Sequence, residues 1–271
     1  MTVAREKSFE EVAAAYDEVR PGYPSAVYDR IIEFGCLTPA TKVLEVGVGT
    51  GKATIPLAER GFELHGLEPG AGLSVIARAN LTRYPRVTIA TTTFEDWNVE
   101  RGVFGLAFCA QAYHWLERGS RLSRFAQALR PRGVLAIFGH VAHVQAGPAR
   151  EDLDAAYRAL APSLSAGRDA QNWYATSESP VMTELSASDH FHDAQFAAFD
   201  WERSLDAAAY CKLLSTYSDH STLPPSQLAE LLARVAEIVQ ARGPTLTVSY
   251  RTALFLARRL EAPIEFSRPL R

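Results

Sequence analysis

Cysteine is scarce in this chain, and what it has forms no recognisable group. The 271 residues include three cysteines, Cys36, Cys109 and Cys211, which are far apart and stand among apolar neighbours. None forms a C-x-x-C pair, so the pattern argues against a disulfide framework and against a cysteine-based metal site. The sequence therefore predicts buried free thiols in a reducing compartment.

Long apolar runs and clusters of positive charge are also missing. No apolar run approaches the ~18 residues of a membrane-spanning helix, and the N-terminus is polar, without the apolar core of a signal peptide. The net charge is −3, and the Lys and Arg residues are spread along the chain. We therefore expect a cytoplasmic protein, a monomer or homodimer, with neither a membrane nor a nucleic acid as its partner.

A glycine-rich turn stands between a short apolar run and a helical segment. The sequence predicts a buried strand at residues 42–46 and a helix at residues 52–60. Gly47, Gly49 and Gly51 lie between them. Strand, turn and helix in this order direct backbone N–H groups at a ligand beside the helix N-terminus. Glycine allows the close approach and the positive φ that such a turn needs.

The spacing of these glycines does not fit the common nucleotide motifs. The third glycine of G-x-G-x-x-G would fall at Lys52 or at Thr54, and Lys52 is followed by Ala53 instead of the Ser or Thr of a phosphate loop. The remaining pattern, acid-x-G-x-G-x-G with Glu45 as the acid, resembles the first motif of class I S-adenosylmethionine-dependent methyltransferases. The resemblance implies that the loop passes under the methionine part of the cofactor and that Glu45 helps place its amino group.

A second acidic residue follows the next predicted strand. That strand covers residues 63–67, and Glu68 and Pro69 come directly after it. The carboxyl ends of neighbouring parallel strands meet where ligands bind, and a carboxylate there can accept both hydroxyls of a ribose. The alternative is that Glu68 caps the following helix or is merely solvated, but its place beside the glycine loop favours ribose binding.

The segment after the third predicted strand resembles the part of these methyltransferases that lies beside adenine. The resemblance implies that Thr93 contacts the adenine amino group and that Phe94 offers a backbone N–H or a ring face. Glu95, the next residue, is also a predicted cofactor-binding residue. Together with Asp96 it could also suggest an acid–base pair, but adjacent residues on a turn point apart, so a loop or capping role is the alternative for at least one of them.

The fourth predicted strand, residues 103–110, leads into Gln111, Tyr113, His114 and Trp115. This segment resembles the H-W segment of the branch that includes trans-aconitate methyltransferases, which implies that its side chains face the sulfonium and the substrate cavity. We expect Gln111 on the cofactor side and Tyr113 and Trp115 as aromatic walls near the cation. His114 is the candidate general base, since imidazole titrates near neutral pH; the alternative is that it packs the loop.

Two further regions offer candidate contacts. The opening Y-x-x-x-R-P-x-Y-P segment resembles that of many small-molecule methyltransferases, which implies that Tyr16 lies near the cofactor and that Arg20 and Tyr23 lie near the cofactor carboxylate or the substrate. The alternative is that this segment is only a turn that ends a helix, with its tyrosines packed on the edge of the domain. After the fifth strand the βα rhythm breaks, and we expect a lid that brings His140 and Trp173 to the substrate. His190 and His192 alternate as a metal-binding pair would, but the sequence offers no third ligand beside them, so no metal site is predicted.

The order of elements predicts an α/β fold: a doubly wound Rossmann-like methyltransferase sheet with an inserted helical cap after the fifth strand. Residues 1–140 would form the cofactor-binding core with its N-terminal arm, residues 141–194 the cap, and residues 195–271 the rest of the sheet and its flanking helices. The predicted function is methyl transfer from S-adenosylmethionine to a small-molecule carboxylate, hydroxyl or amine. The alternatives are a nicotinamide-dependent oxidoreductase and a cofactor-binding protein without methyl transfer.

Overall fold

A seven-stranded mixed sheet forms the centre of the computed structural model, which describes residues 17–165 and 175–261. Tyr16 and Trp173 lie outside the described residues. The strand order across the sheet is β3-β2-β1-β4-β5-β7-β6. In chain order the strands are β1 Lys42–Val46, β2 Glu63–Leu67, β3 Val87–Ala90, β4 Phe104–Ala110, β5 Leu129–Val144, β6 Phe191–Leu205 and β7 Leu246–Arg259.

The first five strands are parallel, whereas β7 runs antiparallel to both of its neighbours, β5 and β6. β4 is buried at all seven positions, as expected for a parallel strand covered by helices on both faces. The doubly wound fold predicted from the sequence is confirmed. Its parallel half places the ends of β1, β2 and β4 side by side, which is where the glycine loop lies.

Nine α-helices are described, with two short 3₁₀ turns at Tyr113–Trp115 and His220–Thr222. None of the helices in the described ranges is long and apolar enough to cross a membrane. The helices are α1 Ser25–Gly35, α2 Ile55–Glu59, α3 Ala71–Leu81, α4 Arg121–Ala128, α5 Pro148–Leu160, α6 Pro162–Ser165, α7 Pro180–Ser186, α8 Ala207–Ser215 and α9 Pro225–Arg242.

The helices after β5 divide between two apolar clusters. Tyr157 of α5, Leu213 of α8 and Val235 of α9 are buried in one cluster, which we call the helical layer, together with Tyr250 of β7. α7 instead packs against β6, in the cluster that contains Leu185. The boundary predicted at 194/195 therefore falls inside β6, and α8 and α9 join α5. A single cap over 141–194 stays a prediction.

Two elements differ from their predicted lengths for identifiable reasons. The apolar run at residues 134–138 predicts the fifth strand, but β5 covers Leu129–Val144, because β7 pairs with it from Val134 as far as Val144. The helix after the glycine loop begins at Ile55 and not at residue 52. Thr54, which precedes it, donates its hydroxyl to the Glu45 carboxylate at 2.6 Å and makes no capping bond.

Candidate active site

The glycine loop after β1 has a backbone that only glycine adopts easily. Gly47 and Gly49 have φ values of 80° and 60°. A Cβ on Gly47 would lie 2.4 Å from the Cβ of Ala112, whereas a Cβ on Gly49 would meet no atom within 4 Å and would project into open space. Gly51 has a φ of 92°, and its Cβ would lie 3.2 Å from Leu81. Gly51 thus allows packing against α3 and does not line the cleft.

Glu68 at the end of β2 connects three parts of the site. One carboxylate oxygen accepts the Gly49 N–H at 2.8 Å, and the other accepts the Gly70 N–H at 2.9 Å. The Ser74 hydroxyl of α3 donates to the Glu68 carbonyl at 3.1 Å. Because a carboxylate oxygen has two acceptor positions, the same side chain has the capacity for ribose hydroxyls while it holds the loop.

Glu45 lies fully buried beneath the loop. Its Oε2 accepts the Thr54 hydroxyl at 2.6 Å, but its Oε1 is buried without a hydrogen-bond partner. Burial raises the pKa of Glu45 to about 8; the Thr54 hydrogen bond lowers it, and the charge of Glu68 raises it further. A buried acceptor of this kind favours a nearby donor. The cleft thus fits a ligand with a hydrogen-bond donor at this end.

The predicted adenine edge forms a tightly bonded loop. The Phe94 ring is buried, with its centroid 4.5 Å from that of Phe125. The Thr93 hydroxyl donates to Asp96 at 2.8 Å and accepts its backbone N–H at 3.0 Å. Glu95 accepts the backbone N–H of Glu117 at 3.0 Å. These bonds agree with the loop role that was the alternative for the acidic pair.

Gln111 has a left-handed backbone, with a φ of 57°. Its N–H donates to the Phe138 carbonyl at 2.9 Å, and its side-chain amide donates to the His140 carbonyl at 2.8 Å. A non-glycine residue in this region is strained and needs such support from its surroundings. The left-handed conformation at Gln111 changes the direction of the chain at the end of β4, and residues that follow it line the cleft.

The turn Tyr113–Trp115 presents two of its three side chains to the cleft. His114 is exposed and packs against Trp115 with 4.6 Å between ring centroids, and both line the cleft. Tyr113, expected as a cavity wall, is instead buried in the core. Successive side chains of a 3₁₀ turn are about 120° apart. The turn therefore cannot aim all three at one cavity.

The N-terminal arm closes the narrow end of the cleft. The Arg20 guanidinium donates to the Thr216 hydroxyl at 2.9 Å and to the Thr216 carbonyl at 2.8 Å, and it stacks over the Tyr217 ring at 4.3 Å. Tyr23 packs edge-on against Phe138, with 4.8 Å between ring centroids. The arm is thus attached to residues that follow α8, almost 200 positions later.

His140 on β5 lies deep at this end, packed among the rings of Tyr23, Trp201 and Tyr250. Burial lowers the pKa of His140 to about 3, and the positive charge of Arg20 adds to the effect. The imidazole is therefore neutral at physiological pH, and its Nδ1 is buried without a partner. Within residues 17–165 and 175–261, no group of three His, Cys, Asp or Glu side chains could hold a metal ion.

Most of the predicted site residues line one cleft, whose volume is about 1300 Å³ when the space at its open mouth is included. Others line a narrow extension of this cleft beside Arg20 and Tyr23. Gly51 and Tyr113 line neither. Leu116 and Ser218 line the cleft without having been predicted, and Ser218 had no local signal because it simply follows a helix. The predicted residues that do line it are Arg20, Tyr23, Glu45, Gly47, Gly49, Glu68, Pro69, Thr93, Phe94, Glu95, Gln111, His114, Trp115 and His140.

Comparison with known proteins gives consistent matches. Residues 43–133 match the family model of a methyltransferase domain. An uncharacterised methyltransferase of Geobacillus kaustophilus is 30% identical over 209 residues, 71% of this chain and 92% of the relative. An uncharacterised methyltransferase of Mycobacterium tuberculosis is 27% identical over 247 residues, 91% of each chain.

Solved structures share the fold. A proposed type II methyltransferase from Anaeromyxobacter dehalogenans superimposes with a TM-score of 0.62 at 24% identity, covering 90% of this chain and 99% of that one. Phosphoethanolamine N-methyltransferase 2 of Haemonchus contortus, solved with S-adenosylhomocysteine, gives a TM-score of 0.58 at 16% identity and covers 96% and 61%. The match to the methyltransferase domain and the Geobacillus kaustophilus relative, together with the glycine loop and the acidic residues that flank it, show that the chain belongs to the class I S-adenosylmethionine-dependent methyltransferases.

Proposed function

We propose that the protein methylates a small-molecule carboxylate, hydroxyl or amine that is held in the cleft beside His114 and Trp115. The bound cofactor supplies a sulfonium methyl group that is open to in-line attack. The observation that carries the proposal is the lining of the cleft: Arg20 and Ser218 line it together with the turn that bears His114. A cleft of about 1300 Å³, with its open mouth included, has room for a cofactor and a small acceptor together, since ligand sites commonly have volumes of roughly 300–1,000 Å³.

The proposed cofactor contacts follow the geometry of the loop. Glu68 accepts the ribose hydroxyls while it holds the Gly49 and Gly70 N–H groups. Glu45 lies on the side of the amino group, from which its unpartnered oxygen accepts a hydrogen bond. Thr93 and Phe94 border the adenine. These roles are proposals about the chain's own side chains, supported by their position around one cleft.

On the acceptor side we propose His114 as the group that accepts a proton from the nucleophile. It is exposed and borders the cleft, which suits a hydroxyl or an ammonium acceptor better than a carboxylate, because a carboxylate is already ionised near neutral pH. The His114–Trp115 segment also supports a place near trans-aconitate methyltransferase-like enzymes, which keeps a carboxylate among the proposed acceptors; such an acceptor would not need His114 to take a proton. Trp115 contributes an aromatic face, which stabilises a nearby cation.

The test is to incubate the purified protein with methyl-labelled S-adenosylmethionine and a panel of small acids, phenols and amines, with bulk tRNA and a protein mixture as separate arms. We expect label in one class of small molecule, identified by mass spectrometry. Gly49→Val serves as the control without cofactor binding. Label in tRNA or protein with none in small molecules would overturn the proposed acceptor class.

A further inference from the structure

Arg121, at the start of α4, is a buried cation with a fixed partner. Its side chain is 7% exposed. Its Nε donates to one carboxylate oxygen of Glu184 on α7 at 2.8 Å, and its Nη2 donates to the other. A paired fork of this kind is among the stronger and more directional interactions of a guanidinium. The pair therefore holds the guanidinium plane in one orientation.

The third nitrogen of the same guanidinium reaches the turn that carries His114. Nη1 of Arg121 donates to the Tyr113 carbonyl at 3.0 Å, and the guanidinium carbon lies 3.9 Å from the centre of the Tyr113 ring. The peptide held in this way is the one that joins Tyr113 to His114. The other end of the turn is held where Glu95 accepts the Glu117 N–H. Both ends of the turn that carries His114 and Trp115, which we call the acceptor wall, are thus held by side chains of other segments.

We propose that Arg121 and Glu184 are positioning residues that set the direction of His114 and Trp115 toward the acceptor. The inference rests on the proposed function, which gives that wall its role. Neither Arg121 nor Glu184 lines the cleft, so the pair acts through the turn. Glu184 also lies beyond the matched methyltransferase domain of residues 43–133. A residue from the later part of the chain therefore positions the side chains that face the acceptor, and it does not contact the glycine loop that binds the cofactor.

Catalytic rates depend steeply on such geometry, because a misplacement of about 1 Å can cost roughly 10²-fold. Arg121→Lys keeps the charge, but a compact ammonium cannot hold two carboxylate oxygens and a carbonyl in one plane. Glu184→Gln keeps the shape of the side chain and removes its charge. Both variants should loosen the turn without opening a cavity.

The first experiment measures steady-state kinetics with an acceptor found in the panel. For Arg121→Lys and Glu184→Gln we expect kcat/KM for the acceptor to fall about tenfold to a hundredfold, with affinity for S-adenosylmethionine unchanged. In a background that carries both His114→Ala and Trp115→Ala the same changes should have little further effect, since residues that act as a unit are not additive. Glu237→Gln, which breaks the exposed Arg234–Glu237 pair, is the matched control and should behave as wild type.

An equal loss of kcat/KM in the background that carries both His114→Ala and Trp115→Ala would overturn the inference, because the pair would then act independently of the wall. Wild-type kinetics for both variants would also overturn it. If the wild type methylates no small molecule, the proposed function fails, and the positioning role is then tested by ¹⁹F NMR of protein labelled with 5-fluorotryptophan and saturated with S-adenosylhomocysteine. A displaced or broadened Trp115 resonance in Arg121→Lys, with the Trp201 resonance unchanged, supports the role; an unchanged Trp115 resonance contradicts it.

Discussion

The carboxylate of Glu68 accepts the backbone N–H of Gly49 at 2.8 Å, so the end of β2 and the centre of the glycine loop form one unit. A residue predicted for ribose binding therefore also sets the shape of the loop. Substitutions at Glu68 should affect both properties at once.

Glu68→Gln should weaken S-adenosylmethionine binding by about tenfold to a hundredfold, as expected from the loss of ~1.5–3 kcal/mol in a hydrogen bond to a charged group. The amide offers one oxygen where the carboxylate offers two, so the Gly49 or the Gly70 N–H loses its acceptor. Calorimetric titration measures the change. Glu63→Gln, at the opposite end of β2 and paired with Lys42, should leave affinity unaltered, and equal affinity for both variants would contradict the prediction.

Gly49→Val should reduce cofactor affinity at least a hundredfold, since the new side chain projects into the open cleft from a backbone with a φ of 60°. Positive φ costs a β-branched residue energy wherever it occurs, so a control must carry the same strain. Gly102→Val offers it: Gly102 has a φ of 70°, and its Cβ also meets open space. That variant should lose thermal stability while it keeps its affinity. Comparable affinity in the two variants would show that Gly49 does not border the cofactor.

Replacing Glu45 by Gln should remove a pH dependence of stability. The folded-state pKa of Glu45 is about 8, above the ~4.3 of an unperturbed Glu, so the folded chain binds its proton more tightly than the unfolded chain. The free energy of unfolding contributed by Glu45 is therefore fully present below that lower value and is lost as pH rises to about 8. Each unit of pKa difference corresponds to about 1.4 kcal/mol.

The measurement for Glu45 is denaturant unfolding at several pH values without cofactor. The advantage of Glu45→Gln over wild type should grow between pH 5 and 8, a range bounded by the ~4.3 of a free Glu and the folded-state pKa of about 8. A constant difference over this range would mean that Glu45 is ionised in the folded protein.

His114→Ala should lower kcat about 10²-fold if His114 accepts the acceptor's proton, which is a common contribution of general-base catalysis. Cofactor affinity should stay within twofold, because His114 borders the acceptor side of the cleft. His143→Ala on β5 is a control, since His143 is also exposed and lies outside the cleft lining. Unchanged kcat in His114→Ala would leave His114 as a packing residue of the turn.

The cofactor half of the site was readable from the sequence because its signals are local. A short apolar run, alternating glycines and an acidic residue after the next strand are close in sequence, and parallel pairing of β1 with β2 brings them together. Glu45 and Glu68 were identified in this way. The bond from Thr54 to Glu45 was not foreseen, because the helix was predicted to begin at residue 52, which put Thr54 inside it, whereas it begins at Ile55.

The acceptor half was less readable because its geometry depends on turns and on distant contacts. Tyr113, His114 and Trp115 are consecutive, and the sequence did not indicate that a 3₁₀ turn would bury the first of them. The Arg121–Glu184 pair joins residues 63 positions apart, and Ser218 reaches the cleft only through the packing of α8 against the rest of the helical layer. No periodicity or motif reports such contacts.

The position of β7 between β5 and β6 has a consequence for the order in which the chain folds. Among the strands that the structure describes, β6 pairs with β7 alone, and it is synthesised first, so its backbone groups have no partner in this sheet until residues 246–259 have left the ribosome. Chains synthesised from the N-terminus complete β1–β5 first. A nascent or truncated chain that ends before residue 246 therefore exposes a fifteen-residue strand edge, which is a site for aggregation or chaperone capture.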